Sequence, residues 1–149
     1  MAHALRLARA AGRRQEVPVG CVAVRNGVAL AGASNRVERG RSALLHAEML
    51  VLAQAASRLG TWRLQEVTLY VTLEPCPMCA GAILLSRVPR LVYAADDPRK
   101  GAFRSAYDVL ASPSGNHHPL VECGLEAKLA AALLQEFFQE RRGRKPAAR

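Results

Sequence analysis

The chain has little lysine, few aromatic residues and few acids. Lysine occurs three times against eighteen arginines, aromatics make up 5% of the 149 residues, and 12 Asp and Glu face 21 Lys and Arg, for a formal charge of +9. Long apolar runs are missing too. None approaches the roughly 18–20 residues a membrane span requires, and Arg6, Arg9, Arg13 and Arg14 break up any apolar core a secretory signal would need. The expectation is therefore a cytoplasmic protein with no membrane association. Cysteine is also scarce, at four residues. Disulfide frameworks belong to smaller, loop-rich secreted chains, so free thiols or metal thiolates are expected. What the chain does have is apolar material, half of its residues. At this length a core can bury roughly 68–70% of the unfolded surface without staples, which excludes disorder for the bulk of the chain. The basic excess fits either the base composition of a GC-rich genome or a polyanionic partner held through its phosphates, and charge alone does not choose between them.

Residues 2–14 place Leu5, Ala8 and Ala11 or Gly12 at helical spacing, with arginines elsewhere, and predict a short amphipathic helix. Two β-rich runs at 19–25 and 28–33 flank Asn26-Gly27, a pair that tolerates the positive φ of a tight hairpin. Asn35 to Arg41 reads as loop. Ser42 stands where an N-cap would, before a helix over 43–56 that ends near Gly60. Val67 to Thr72 is a buried strand stopped by Pro75, and Pro77 sits at a first helical position before Met78 to Leu85. A strand at 90–95 completes a right-handed crossover with parallel strands. Residues 96–124 read mainly as loop, and a last helix covers about 125–141. The domain reading is one α/β domain over 1–141, with 142–149 as a basic, disordered tail.

Two patterns carry chemistry. His46-Ala47-Glu48 opens one helix, and Pro75-Cys76-Pro77-Met78-Cys79 lies at a strand-to-helix junction. Cysteines three apart on a first helical turn put both sulfurs on one side, and the helix N-terminus favours their thiolate forms. With His46 as a nitrogen donor, three ligands would hold a zinc ion and leave its fourth position open, the mark of a catalytic site. Residues two apart on a helix do not face each other, so His46 and Glu48 converge only if the metal lies off the helix N-terminus. There Glu48 would take a proton from the activated water and return it to a substrate nitrogen, which is hydrolytic deamination. Either pattern alone is common by chance, but in this order they match the general signature of zinc nucleobase deaminases.

Over nearly its whole length the sequence resembles the bacterial tRNA-specific adenosine deaminases. The blocks that carry the likeness are Glu16-Val17-Pro18-Val19-Gly20, Asn35-Arg36, His46-Ala47-Glu48, the run Leu69 to Cys76, Met78-Cys79-Ala80-Gly81-Ala82, Asp108-Val109-Leu110, Asn116-His117 and Phe137-Phe138. The resemblance implies a cytidine deaminase-like three-layer α/β/α fold, with a central mixed five-stranded sheet flanked by helices. It further implies a homodimer with one zinc (Zn2+) per subunit that converts adenosine to inosine at wobble position 34 of a tRNA anticodon, that of an arginine tRNA. Family roles fall on His46, Cys76 and Cys79 as ligands and on Glu48 as proton shuttle. Substrate or RNA contacts fall on Asn35, Ala47, Pro75, Asp97, Arg99, Lys100, Asn116, His117, Phe138 and Arg141, with Asn116 and His117 shaping the pocket. Two segments depart from the family pattern: Ser42-Ala43-Leu44-Leu45 replaces Asp-Pro-Thr-Ala, and Phe103 and Arg104 stand in a loop usually built of small residues. Phe103 there reads as a base-stacking residue or as a core or dimer contact, and Cys21 and Cys123 as packing thiols. Two other functions are compatible with the zinc signature: deamination of a free base or nucleoside (guanine or cytosine), and non-catalytic, zinc-stabilised RNA binding.

Overall fold

In the computed structural model, which describes residues 1–111 and 115–143, the chain begins with helix α1 (Ala2–Arg13). Ala4, Leu5, Ala8 and Ala11 are its buried stripe. Strands β1 (Gly20–Arg25) and β2 (Val28–Ser34) form an antiparallel hairpin, closed by Asn26 and Gly27 at φ 51° and 76°. Both values suit a type I′ turn, so the hairpin forms where Asn-Gly predicts it. Residues expected as loop contain a short helical turn, α2 (Val37–Gly40). The buried Glu16 carboxylate induces it, accepting the Glu38 and Arg39 amides at 3.1 and 2.8 Å.

Helix α3 spans Ala47–Leu59, strand β3 Val67–Leu73, helix α4 Pro77–Leu85 and strand β4 Arg90–Ala95. Gly60 caps α3 in the left-handed conformation, and Pro77 takes the first turn of α4, both as the sequence indicates. The start of α3 needs correction: Ser42 is not its cap. The Ser42 hydroxyl accepts the Leu44 amide at 3.3 Å, and the Arg36 amide reaches the Leu45 carbonyl at 3.0 Å, which holds 42–45 as a turn. His46 is the residue at the cap position. A second correction is β5 (Leu120–Cys123), a parallel partner of β4 inside the stretch read as loop. The last helix, α5 (Ala127–Gly143), takes in Arg142 and Gly143 from the expected tail, and residues 144–149 of that tail lie outside the described residues.

The sheet order is β2-β1-β3-β4-β5, with β1 antiparallel to β2 and β3 and with β3, β4 and β5 parallel. Strand alternation divides the core. Cys21, Ala23, Leu69, Val71, Leu91 and Tyr93 pack with Val51 and Ala55 of α3 and Ile83 of α4. On the opposite face Ala94 packs with Leu5 of α1 and Ala130 of α5, a cluster that Ala95 joins at the end of β4. The chain thus adopts the expected α/β arrangement, a mixed five-stranded sheet flanked by helices. No described helix is long and apolar enough to cross a membrane.

Candidate active site

The parallel strands β3 and β4 end on the same side of the sheet, where the chain leaves β3 for α4 and β4 for the loop 96–106. α3 and α4 both begin there. Cys76 is the cap residue of α4 and Cys79 lies in its first turn, so both sulfurs gather at a helix N-terminus. His46 holds the equivalent cap position on α3, with φ −68° and ψ 152°. Its Nδ1 stands 3.6 Å from Cys76 Sγ and 3.5 Å from Cys79 Sγ. The three donor atoms lie within 4.8 Å of one another. One imidazole nitrogen and two sulfurs at this separation form a donor set that would hold a zinc ion. One of the two thiols is already biased toward the thiolate that binds metal. Hydrogen bonding to Cys79 and His46 holds Cys76 down at about 4, while the hydrogen bond that Cys79 gives to Cys76, together with burial, pushes the Cys79 thiol up. The hydrogen bond to Cys76 raises His46, against the opposing effect of burial.

His46 points toward the sulfurs, so it does not cap its own helix. Asn35 does so from the end of β2, its Oδ1 accepting the Ala47 amide at 2.9 Å. With that oxygen turned to the helix, the amide N–H donors of Asn35 are available to a ligand. Glu48, on the second residue of α3, is 4% exposed, and burial raises its carboxyl pKa against the pull of its own backbone amide and of His46. A carboxyl tuned upward in this way suits proton transfer near neutrality.

These groups open into a cleft of about 910 Å³, whose lining includes Asn35, His46, Glu48, Cys76, Asp97, Arg99, Lys100, Phe138 and Arg141. Nine of the predicted site residues therefore meet in one cavity. Cys79 lies buried just beneath it. Ala47 and Pro75 are buried behind the wall, where the Ala47 amide is taken by Asn35 and the Pro75 carbonyl accepts the Ala102 amide at 2.9 Å. Asn116 and His117 are corrected: they do not line the cleft. They stand at the opposite end of the sheet, ahead of β5, where Asn116 accepts from Arg87 at 2.5 Å and His117 Nε2 meets the Val88 carbonyl at 2.7 Å. Phe103 is a core residue, 5% exposed.

Sequence patterns alone miss Ala131, Leu134 and Gln135, which join Phe138, Arg141 and Arg142 in the lining. Their spacing of three to four residues along α5 is the signal that could have found them. Also missed is the role of Glu74, which sits in the lining and accepts the amides of Asp97, Phe103, Arg104 and Ser105. Burial works to raise the Glu74 carboxyl, but hydrogen bonds from Ser105, Asp97 and Arg104 outweigh it and hold the group below its ordinary range.

Residues 1–95 match the family model for the cytidine and deoxycytidylate deaminase zinc-binding region. The tRNA-specific adenosine deaminase of Bacillus subtilis (strain 168) is 45% identical over 149 residues, covering 100% of this chain and 92% of that relative. The Agrobacterium fabrum enzyme of the same name is 44% identical, covering 91% of this chain and 89% of its own. Among solved structures, one from a study of A-to-I editing by tRNA:A34 deaminases at the wobble position superimposes with a TM-score of 0.87 at 43% identity, covering 90% of this chain and 97% of the other. Guanine deaminase from Nitrosomonas europaea superimposes less well, with a TM-score of 0.77 at 29% identity, covering 91% of this chain and 81% of its own. With its donor set, sheet and sequence in agreement, the chain belongs to the zinc-binding cytidine and deoxycytidylate deaminase family and, within it, to the tRNA-specific adenosine deaminases.

Proposed function

We propose that the protein hydrolyses adenosine to inosine at the wobble position of a tRNA anticodon, that of an arginine tRNA. The observation that carries the proposal is the joining of two chemistries in one cleft: the His46, Cys76, Cys79 and Glu48 group at its floor, and Arg99, Lys100, Arg141, Arg142 and Phe138 at its rim. A free base needs the first set and has no use for the second. A nucleotide flipped from an anticodon loop needs both, because its flanking phosphates and bases remain outside the pocket.

His46, Cys76 and Cys79 would hold the zinc, which when bound supplies the Lewis acidity that makes water nucleophilic at neutral pH. The chain's own groups do the rest. Asn35 offers its amide donors to the base and fixes the start of α3, which sets His46 and Glu48. Glu48 receives a proton from the attacking water as the new C6–O bond forms, then delivers it to nitrogen so that the C6–N bond breaks and ammonia leaves. Arg99, Lys100 and Arg141 bind phosphates, and Phe138, 44% exposed, offers a face for stacking.

Exposed Leu85 and Leu120, together with Trp62, support a homodimer, and action on tRNA supports a cytoplasmic location. The test is to incubate zinc-loaded protein with an arginine anticodon stem-loop and, separately, with guanine, cytosine and cytidine. Inosine in the stem-loop alone is the expected product. Turnover of guanine or cytosine without inosine formation would overturn the proposal in favour of a free-base deaminase, and RNA binding without any deamination would favour a non-catalytic role.

A further inference from the structure

Glu74 neither belongs to the donor set nor reaches the proton-transfer group, yet it is 2% exposed and immediately precedes Pro75-Cys76. Its two oxygens have separate partners. Oε1 accepts the amides of Phe103, Arg104 and Ser105 at 3.1, 2.9 and 3.1 Å, whereas Oε2 accepts the Asp97 amide at 3.1 Å. The nearby Arg104 guanidinium is bound to Asp96 instead, at 2.8 and 2.9 Å, so backbone dipoles rather than a cation satisfy the buried carboxylate. Packing points the same way: a Cβ on Gly101 would overlap the Glu74 carboxylate, so glycine at 101 lets the loop close over it.

The same loop is tied back at further points. Glu74 donates its amide to the Ala95 carbonyl at 2.8 Å, and Ala102 donates to Pro75 at 2.9 Å. Asp97 Oδ1 in turn accepts the amides of Arg99 and Lys100 at 3.0 and 3.2 Å. The position of Asp97 therefore sets the position of the two cations at the cleft rim.

We infer that Glu74 is a positioning residue for RNA: it locks the loop 97–105 to the strand end that carries Cys76, so that the RNA-facing wall and the zinc donors are held as one piece. The inference rests on the proposed tRNA substrate. Glu74→Gln separates the two attachments. The Gln carbonyl can still serve the Oε1 partners, but its NH2 is a donor and cannot accept the Asp97 amide. Loss of one hydrogen bond to a charged acceptor predicts a rise in KM for the anticodon stem-loop of about tenfold, with kcat within about twofold. An unchanged KM would overturn the inference, as would a fall in kcat at constant KM, since that would put Glu74 in the chemistry. Amide hydrogen exchange on the wild-type, zinc-loaded protein tests it without a variant. The amides of Asp97, Phe103, Arg104 and Ser105 should exchange as slowly as those of β3 and β4, and exchange at free-loop rates would overturn the inference even if Glu74→Gln failed to fold. Failure of the wild type to deaminate the stem-loop would count against the substrate proposal, and the exchange rates would still decide this one.

Discussion

Three buried carboxylates, Glu16, Glu48 and Glu74, differ in what surrounds their oxygens, and the difference sets their roles. Glu16 and Glu74 are filled by backbone amides and hold loops. Glu48 faces the cleft with its carboxyl raised by burial, which leaves it free to exchange a proton. Glu48→Gln keeps the shape and removes the proton acceptor. Its kcat should fall by about 10²- to 10⁴-fold, the usual worth of a general acid–base group, while the zinc-to-protein ratio and the thermal midpoint stay at wild-type values. Turnover within a few fold of wild type would remove Glu48 from the proton path. The thiols outside the donor set give a second residue-scale prediction. Cys21 is fully buried and burial pushes its thiol well up, whereas Cys123 is exposed on the sheet edge. Iodoacetamide on the native, zinc-loaded protein should label Cys123 and spare Cys21 until denaturant is added, as read by peptide mass. Rapid native labelling of Cys21 would contradict its place in the core. The ligand and shuttle residues are legible in the sequence because HxE and PCxxC fix chemistry and spacing together. The function of Glu74 is not, because its partners are amides some 23 to 31 positions away.

At the scale of elements, local signals succeed where one residue dominates the backbone and fail where a distant group does. Asn26-Gly27, Gly60 and Pro77 act through their own φ preferences, and each marks a boundary in the structure. Ser-Ala-Leu-Leu at 42–45 has helical propensity, yet α3 starts at Ala47 because Asn35, twelve residues earlier, supplies the cap acceptor. β5 escapes notice because it is a four-residue edge strand with a largely exposed burial pattern, so alternation cannot show it. Packing between elements is equally invisible. α1 lies so close to β1 that a Cβ on Gly20 would overlap the Ala4 carbonyl, backbone that cannot rotate away. Gly20→Ala should destabilise the protein by about 1–3 kcal/mol through overpacking, measured by urea unfolding with an unchanged slope. A midpoint equal to wild type would show that α1 can lift from the sheet at no cost.

For the whole molecule, the +9 charge has a geometry that composition does not disclose. Arg99, Lys100, Arg141 and Arg142 converge on the cleft rim from the β4–β5 loop and from α5, with the Arg141–Glu38 pair at 3.6 Å linking α5 to α2. Other arginines are used elsewhere. Arg58 donates to the Leu30 carbonyl, and the Arg63 guanidinium lies 4.2 Å over the Trp62 ring. Only charges that displace counterions from RNA contribute to salt dependence. Log affinity for a stem-loop should therefore fall linearly with log salt, and alanine at Arg99 or Lys100 should flatten the slope by about 0.7–0.9 for each phosphate left without its cation. Alanine at Arg58 or Arg63 should leave the slope unchanged, because those side chains lie outside the cleft. Equal flattening from both pairs would mean that the RNA is held by net charge spread over the surface. Flattening in Arg99→Ala and Lys100→Ala alone would instead place the anticodon phosphates on the loop that Glu74 fixes.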